Sequence, residues 1–466
     1  MFKREKLSGN RAGVLGLGKS GRAVATLLAQ NGFDVLISEE APVAHAESFL
    51  FPKGVRVETG GHSEDLFKCD FWIKSPGILP HTPALVEAKK QGIPVYSELE
   101  TALAFMPKGI RVFAVTGTNG KTTTTALLGE ILKLHAAREG KNRQVFVCGN
   151  IGSPVSLCAN QVKKGDDVVI EVSSYQLEDS TYFRPNFACI LNVTPDHLDH
   201  HGGMKNYIKA KAKVFKNQRA GDVLVVNGAD TVCAELVEKV KSKVLAFSTH
   251  PKHLLKTDVF FDGDELIFSE GHQIRPPHLK GIHNVENAMS AALMALASGV
   301  PADTIQTVFD KFEAMEHRIE QFAYHRGVVY VNDSKATNLD STITALKSFE
   351  KTKNLWLILG GRDKGASYEV LIPYLKDYCK RVLTIGEAMD KIERELHGAF
   401  PLTRCGTLEK AVEAAMSGAV KGDVVLLSPA CSSFDQFKDF EQRGKIFKRL
   451  VDAHIFNDRT KEVKKP

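Results

Sequence analysis

Short apolar runs recur along the whole chain, and most lead through a glycine turn into a stretch whose apolar positions have helical spacing. The first such unit is "AGVLGLGKSGRAVATLLAQNGFDVLISEE", which predicts a strand, a glycine turn, a helix and a second strand ending at Ser38-Glu39-Glu40. Strand and helix signals continue through "DFWIKSPGI" to "IPVYSELE", and "FMPKGI", with Pro107 and Gly109, reads as a linker. A second segment opens with "RVFAVTGTNGKTTTTALLGEIL" and continues through apolar strands "QVFVCGNIG", "DVVIEVSS", "FACILNVT" and "DVLVVN". There, "LKGIHNVENAMSAALMALASG" predicts a loop entering a long helix, and "ADTIQTVFDKFEAM" a last helix ending near Glu316-His317-Arg318. A third segment has strands "GVVYVNDS", "NLWLILGG", "RVLTIGE" and "DVVLLSPA" with helices between them. Such alternation predicts an α/β chain built on parallel sheets, in three domains at residues 1–107, 108–315 and 316–466.

Composition narrows the class. The 466 residues are 43% hydrophobic and 25% charged, ordinary values for a globular chain. The longest apolar runs, such as "VVLLSPA" and "LWLILGG", fall well short of the ~20 residues of a membrane span. The N-terminus starts basic, but glycines interrupt the next stretch and no signal-peptide core is present, so a cytoplasmic protein is expected, without membrane insertion. The net charge of +6, from 61 basic and 55 acidic residues, suits anionic small molecules and does not argue for nucleic acid. Part of it lies in the tail "TKEVKKP", expected to fray. Eight scattered cysteines without a Cys-x-x-Cys pair read as reduced, mostly buried thiols.

The chemistry begins at the second segment. A strand that turns into a helix through Gly117-Thr118-Asn119-Gly120 presents backbone N–H groups at a helix N-terminus, whose partial positive charge favours phosphate. Lys121 would reach the outer phosphates and the Thr122 hydroxyl would ligate Mg2+, with Thr123 beside it. Val115 stands where the standard P-loop has a glycine, so this is a shorter variant. The bland alternative is a plain strand–helix turn. By itself the loop implies ATP or GTP and leaves the fate of the γ-phosphate open. In the first segment, Gly16-Leu17-Gly18-Lys19-Ser20-Gly21 satisfies G-x-G-x-x-G, and Glu39 and Glu40 lie where a ribose-binding acid would sit. Alone, that fits NAD(H), or a structural glycine turn in any Rossmann-like sheet.

Several stretches then act together: T-G-T-N-G-K-T, G-N-I-G, "EVSSYQLE", "NVTPDHLDHH", H-N-x-x-N, the His317-Arg318 pair and the third-segment loops. In this order, over nearly the whole chain, they resemble the Mur ligase superfamily, ATP-dependent amide-forming enzymes of peptidoglycan precursor synthesis. "YVNDSKATN" and "LLSPACSSFDQFKDFEQRG" resemble its D-glutamate-adding branch, and the D-N-P-R motif of the diaminopimelate-adding relatives is absent from the sequence.

The resemblance implies Rossmann-like first and third domains around a P-loop ATPase-like centre. It implies ATP and Mg2+ as cofactors, and UDP-N-acetylmuramoyl-L-alanine and D-glutamate as substrates. The γ-phosphate would go to the alanine carboxylate, and the D-glutamate amine would attack the resulting acyl phosphate. Gly117 to Thr123 would hold the phosphates, and Asn284, Asn287, Arg318 and Asp333 the adenosine end. Gly18, Lys19, Ser20, Ser38, Glu39, Ser75, Gly77 and Asn150 would hold the UDP-sugar. Lys335, Thr337, Lys364, Ser433 and Phe440 would form the D-glutamate pocket. Thr122, Glu171, His197 and Lys211 would hold metal, with Lys211 as a carbamate on the family's Y-x-x-x-K position. Lys121, His197 and Lys211 would be catalytic. The third domain would close about a hinge near Glu316 to Glu320, and the protein would be a monomer.

Bland alternatives accompany these assignments. His200, His201 and Asp199 are expected on a loop surface rather than on metal. By themselves the lysines of "KNYIKAKAKVFK" read as a solvated helix face, although helical spacing separates Lys209 and Lys213 from the face of Lys211. Ser432, Ser433 and Asp435 fit a helix N-cap, and His317-Arg318 a salt-bridged hinge. The rival functions are a folylpolyglutamate synthase-like ligase, and a P-loop NTPase with a nicotinamide-binding domain.

Overall fold

A computed structural model describes residues 4–43, 46, 49–140, 142–150, 152–238, 240–250, 253–279, 281–313 and 316–463. The first sheet holds β1 (Arg11–Leu15), β2 (Asp34–Glu39), β3 (Val55–Thr59), β4 (Phe71–Lys74) and β5 (Val95–Ser97), all parallel, in the order β3-β2-β1-β4-β5. The chain reverses its progress across the sheet at β1. In parallel sheets, that reversal opens a crevice at the carboxyl ends of the strands.

The second sheet holds β6 (Arg111–Thr116), β7 (Val145–Gly149), β8 (Asp167–Glu171), β9 (Phe187–Ile190), β10 (Val223–Asn227), β11 (Lys243–Ser248), β12 (Val259–Phe261), β13 (Leu266–Phe268) and β14 (Gln273–Ile274). Their order is β14-β13-β12-β11-β10-β9-β6-β8-β7. β8 and β10 are buried along their whole length, which is why they are continuous apolar runs without alternation. The third sheet holds β15 (Glu320–His325), β16 (Val328–Asn332), β17 (Leu355–Gly360), β18 (Cys379–Ile385), β19 (Leu402–Gly406) and β20 (Val424–Leu427), in the order β15-β16-β20-β17-β18-β19.

The first two sheets belong to one compact unit, Met1–Pro277 with Val285–Lys311, and the third to another, His278–Asn284 with Phe312–Pro466. Within the first unit, buried charged groups join the two sheets. Lys74 Nζ lies 2.5 Å from Asp179 Oδ2, and Glu98 Oε1 accepts from both the amide and the hydroxyl of Ser156. Glu100 accepts from the amides of Tyr182 and Phe183. Burial pushes the Glu98 and Glu100 carboxyls up, against the hydrogen bonds they accept.

Every apolar run singled out in the sequence contains a strand, and the α/β class holds. Three expectations change. The sheets are not wholly parallel: β12 to β14 pair antiparallel, and so does β15 on β16. These strands are short or largely polar, as in "EQFAYH", and lack the apolar run of a buried parallel strand. The helix expected over "ADTIQTVFDKFEAM" stops at Phe309, and Ala314 and Met315 lie outside the described residues. The tail is no simple frayed end, because the last helix runs Phe440–Val463; only residues 464–466 lie outside the described residues.

Candidate active site

The phosphate loop sits at the carboxyl end of β6, between β8 and β9. Gly117 (φ 154°) and Gly120 (φ 85°) take backbone conformations open to glycine, and the helix Lys121–Arg138 starts directly after them. A Cβ at Gly120 would lie 2.1 Å from Asn287 Oδ1, so the loop is pressed against the helix Ile282–Ala297. The next strand fixes its shape. Asn119 N–H donates to Asn192 Oδ1 at 2.8 Å, and Thr118 Oγ1 accepts from Thr194 N–H at 3.0 Å. Thr122 and Thr123 are buried at the first turn of the helix.

Two lysine amines converge on one carbonyl here. Lys121 Nζ donates to Gly117 O at 2.8 Å and to Thr118 O at 2.7 Å, and Lys211 Nζ donates to Gly117 O at 2.7 Å. Lys211 is 1% exposed, so the solvated-face alternative fails for it. Lys209 is exposed and Lys213 turns away to donate to Glu178 O, as helical spacing requires. Burial, with the charge of Lys121 added, drives the Lys211 pKa well below its ordinary value; Asp196 opposes this.

Glu171, buried at the end of β8, accepts from Asn150 Nδ2 at 2.7 Å. Asn150, expected on the sugar nucleotide, therefore also holds the expected metal ligand. The motif S-S-x-Q after Glu171 is a capping box: Ser173 and Gln176 each bond the other's backbone N–H. That box launches a short helix, Ser174–Glu178, which carries Tyr175. His197 adopts a left-handed conformation (φ 55°), and its Nδ1 lies 2.8 Å from the Tyr175 hydroxyl. The Thr122 hydroxyl and the Glu171 carboxylate are oxygen donors of the kind Mg2+ takes, and His197 adds an imidazole nitrogen. Lysine at the first helical position, on a helix N-terminus that follows a glycine loop, fits a nucleotide's phosphates.

His200 and His201 are not on a loop surface. They end a short helix, Leu198–His201, with side chains 6% and 0% exposed, and both face Glu178. The Asp199 side chain lies outside the described residues.

In the first sheet, Gly18 caps the helix Lys19–Gln30, with Lys19 exposed and Ser20 half-buried at its start. Ser75 and the exposed Gly77 follow β4, and Ser75 Oγ lies 3.5 Å from Gly16 O. Glu39 Oε2 accepts from Leu17 N–H at 2.9 Å, which puts a carboxylate on the glycine loop itself. Ser38 does not join this surface. It is wholly buried, with its hydroxyl 2.5 Å from Glu58 Oε1 and 2.7 Å from His62 Nδ1.

In the second unit, Lys335 and Thr337 follow β16, Lys364 follows β17, and Ser433 follows β20, three neighbouring strands. Lys335 Nζ lies 4.9 Å from the Phe440 ring centre. The Ser432–Asp435 stretch caps no helix, since the next one begins at Phe440. Asp333 is buried and accepts from Ile319 N–H at 3.2 Å and Ser428 Oγ at 2.8 Å. Burial raises its carboxyl to about 7 against those bonds and the Arg318 charge. His317, expected in a salt-bridged hinge, pairs its Nδ1 with Asn332 Nδ2 at 2.8 Å and has its Nε2 3.8 Å from Glu316 Oε1. Asn284 opens the Ile282–Ala297 helix.

One residue escaped notice in the sequence. Arg443, 1% exposed, donates to Ser334 Oγ at 3.0 Å, Ser334 O at 2.8 Å and Cys431 O at 3.2 Å. It ties the loop after β16 to the loop after β20. A lone arginine beside a glycine on an otherwise packed helix face, "FEQRGKIF", was the available signal. Among the described residues, no helix is long and apolar enough to cross a membrane.

Comparison with known proteins agrees with this geometry. Residues 11–84 match the MurD N-terminal domain family, 115–295 the Mur ligase middle domain and 317–431 the Mur ligase glutamate ligase domain. The chain is 52% identical to the UDP-N-acetylmuramoylalanine--D-glutamate ligase of Elusimicrobium minutum, over 97% of this chain and 99% of that protein. It is 46% identical to the enzyme of that name from Koribacter versatilis, over 95% and 97%. The solved UDP-N-acetylmuramate-alanine ligase of Thermotoga maritima shares the fold, with a TM-score of 0.61 at 20% identity, over 95% of this chain and 99% of that one. With the phosphate loop, the capping-box strand end and all three sheets in place, the chain belongs to the Mur ligase superfamily and, within it, to the UDP-N-acetylmuramoylalanine--D-glutamate ligase family.

Proposed function

We propose that this chain joins the carboxylate of UDP-N-acetylmuramoyl-L-alanine to the amine of D-glutamate, using ATP, in peptidoglycan precursor synthesis. The observation that carries the chemistry is the convergence of Lys121 and Lys211 on Gly117 O, with Glu171 at the end of the adjacent strand. A carboxylate does not condense with an amine in water, because its oxygen leaves poorly. Transfer of the γ-phosphate to that carboxylate gives an acyl phosphate; the amine attacks it and phosphate departs.

Here the chain must bring anions together. Lys121 and the loop Gly117 to Thr123 bind the phosphates, and Asn287 braces the loop. Asn284, Arg318 and Asp333 take the adenosine end. Gly18, Lys19, Ser20, Ser75 and Gly77 take the UDP end, with Glu39 bracing their loop through the Leu17 amide, and Asn150 takes the sugar; Ser38 is buried. Lys335 and Lys364 meet the two carboxylates of glutamate, with Thr337 and Ser433 on their remaining lone pairs and Phe440 beside Lys335. Thr122, Glu171, His197 and Lys211 would hold Mg2+, which supplies charge neutralisation for the phosphates.

Lys211 does this as a carbamate: its neutral amine adds to CO2 and releases one proton, replacing a cation by an anionic oxygen ligand. The buried, lowered lysine supports that state. Activity lost in Lys211→Ala and partly restored by formate would bear this out; full activity without formate would exclude it. The function itself is tested by phosphate release, which should require ATP, UDP-N-acetylmuramoyl-L-alanine and D-glutamate together. Release that ignores D-glutamate would overturn it. We place the enzyme in the bacterial cytoplasm as a monomer, which light scattering of the purified chain tests.

A further inference from the structure

Beside the candidate active site, Glu178, His200 and His201 use none of their donor atoms in the proposed reaction. Glu178 Oε2 lies 2.8 Å from His200 Nε2, and Glu178 Oε1 lies 3.2 Å from His201 Nδ1. One donor atom from each of the three residues falls within 4.8 Å of the others. The two short separations are of the order of the ligand–ligand edges of a shell with bonds of ~2.0–2.2 Å, and the widest would close by a few tenths of an ångström on binding.

We propose that Glu178, His200 and His201 bind a divalent cation of the zinc class, at a site separate from the Mg2+ of the phosphate loop. Two imidazoles and one carboxylate suit Zn2+, Ni2+ or Cu2+, whereas Mg2+ prefers an all-oxygen shell. Three protein ligands leave a coordination position for water. The shell around the ligands is built. His201 Nε2 lies 3.0 Å from Ser174 Oγ, and its other ring nitrogen, Nδ1, is the one that faces the site. The Tyr175 ring packs on both imidazoles, at 4.2 Å from His200 and 5.6 Å from His201. Both histidine side chains are nearly dry, while Glu178 is 20% exposed and gives the cation its way in.

The plain alternative is a carboxylate bridging two imidazolium groups. Burial pushes the Glu178 carboxyl up, but the hydrogen bonds and charge of the two histidines outweigh it and hold it at about 2. Two aromatic rings connect the site to the reaction centre. The Tyr175 hydroxyl meets His197, and Tyr207, 5.4 Å from the His201 ring, meets Thr118 Oγ1 at 2.9 Å. A bound cation therefore stiffens the segment that carries His197.

The test uses the full chain, stripped of metal, with reduced thiols and saturating Mg2+. It is titrated with Zn2+ by calorimetry and with Co2+ by optical absorption. One equivalent should bind over the Mg2+ background, with a Co2+ spectrum of nitrogen and oxygen ligands. Glu178→Gln and His200→Asn should each weaken Zn2+ by ~10-fold or more. A Cys148→Ser, Cys158→Ser double variant should bind as the parent does, because those neighbouring thiols are the competing soft ligands. No saturable Zn2+ binding overturns the site, as does unchanged affinity in both ligand variants or a thiolate band in the Co2+ spectrum. If Glu178→Gln does not fold, His200→Asn and the parent Co2+ spectrum still decide between these outcomes.

Discussion

At the ends of β1 and β6 the chain makes the same move: a strand runs into glycines and a helix starts on a lysine, Lys19 in one case and Lys121 in the other. What surrounds the two turns is opposite in charge. The first already holds an anion, since Glu39, 22 residues on, accepts from the Leu17 amide. The second holds a cation, Lys121, and a further amine, Lys211, 94 residues away from Gly117, both donating to Gly117 O. Their packing differs as well. A Cβ on Gly18 would meet nothing within 4 Å, whereas one on Gly120 would run into Asn287. A strand–glycine–helix turn supplies amides and a partial positive charge in both places. Side chains brought from elsewhere decide how much negative charge each turn can accept.

The largest expected difference is catalytic. Lys121→Ala should lower kcat by ~10³-fold, because its charge acts where phosphate charge accumulates. Lys19→Ala should leave kcat unchanged and raise the UDP-sugar KM by ~10-fold or less. Steady-state kinetics on the two variants would break the comparison if their kcat losses matched.

Stability comes next. Gly120→Ala puts a side chain at φ 85° and against Asn287, and should cost about 1–3 kcal/mol. Gly18→Ala, at φ −68° in open space, should stay within about 0.5 kcal/mol of the parent. Urea unfolding midpoints read both, and equal shifts would mean the phosphate loop is no more tightly packed than the first turn.

The buried amine of Lys211 can be tested by pH. Lys211 has a folded pKa below its unfolded value of 10.5, so the unfolded chain binds more protons between the two. Its contribution to stability therefore rises with pH through that window and levels off above 10.5. Lys211→Met should flatten this slope and raise the melting temperature at neutral pH, while abolishing activity. A parent and variant with the same slope would show that Lys211 is solvated.

The smallest effect concerns the internal anion. Glu39→Gln keeps an acceptor for the Leu17 amide but removes its charge. UDP should bind about two- to fivefold tighter, the size of one charge near a helix N-terminus. Weaker binding by calorimetry would make Glu39 a direct ligand contact instead.

Much of this molecule was legible in the sequence. The buried parallel strands announce themselves as unbroken apolar runs, and each glycine loop follows one of them, so the α/β class and the position of Lys121 need no tertiary information. Motif order carried the family. The antiparallel strands β12 to β15 were not legible, because short edge strands have no obligatory apolar pattern.

The remainder was decided by tertiary packing. Glu39 reads as a ligand-binding acid and is found on its own loop; Ser38 reads as a contact and is buried. His200 and His201 read as loop surface and are packed around Tyr175. Arg443 lies at the end of "LLSPACSSFDQFKDFEQRG", where the sequence assigns it no role, and it holds two loops together. Local sequence determines where backbone amides and helix ends will be, since those depend on neighbours a few residues apart. Which charge stands beside them depends on partners tens of residues away, and only folding, by removing those groups from water, makes each pairing obligatory.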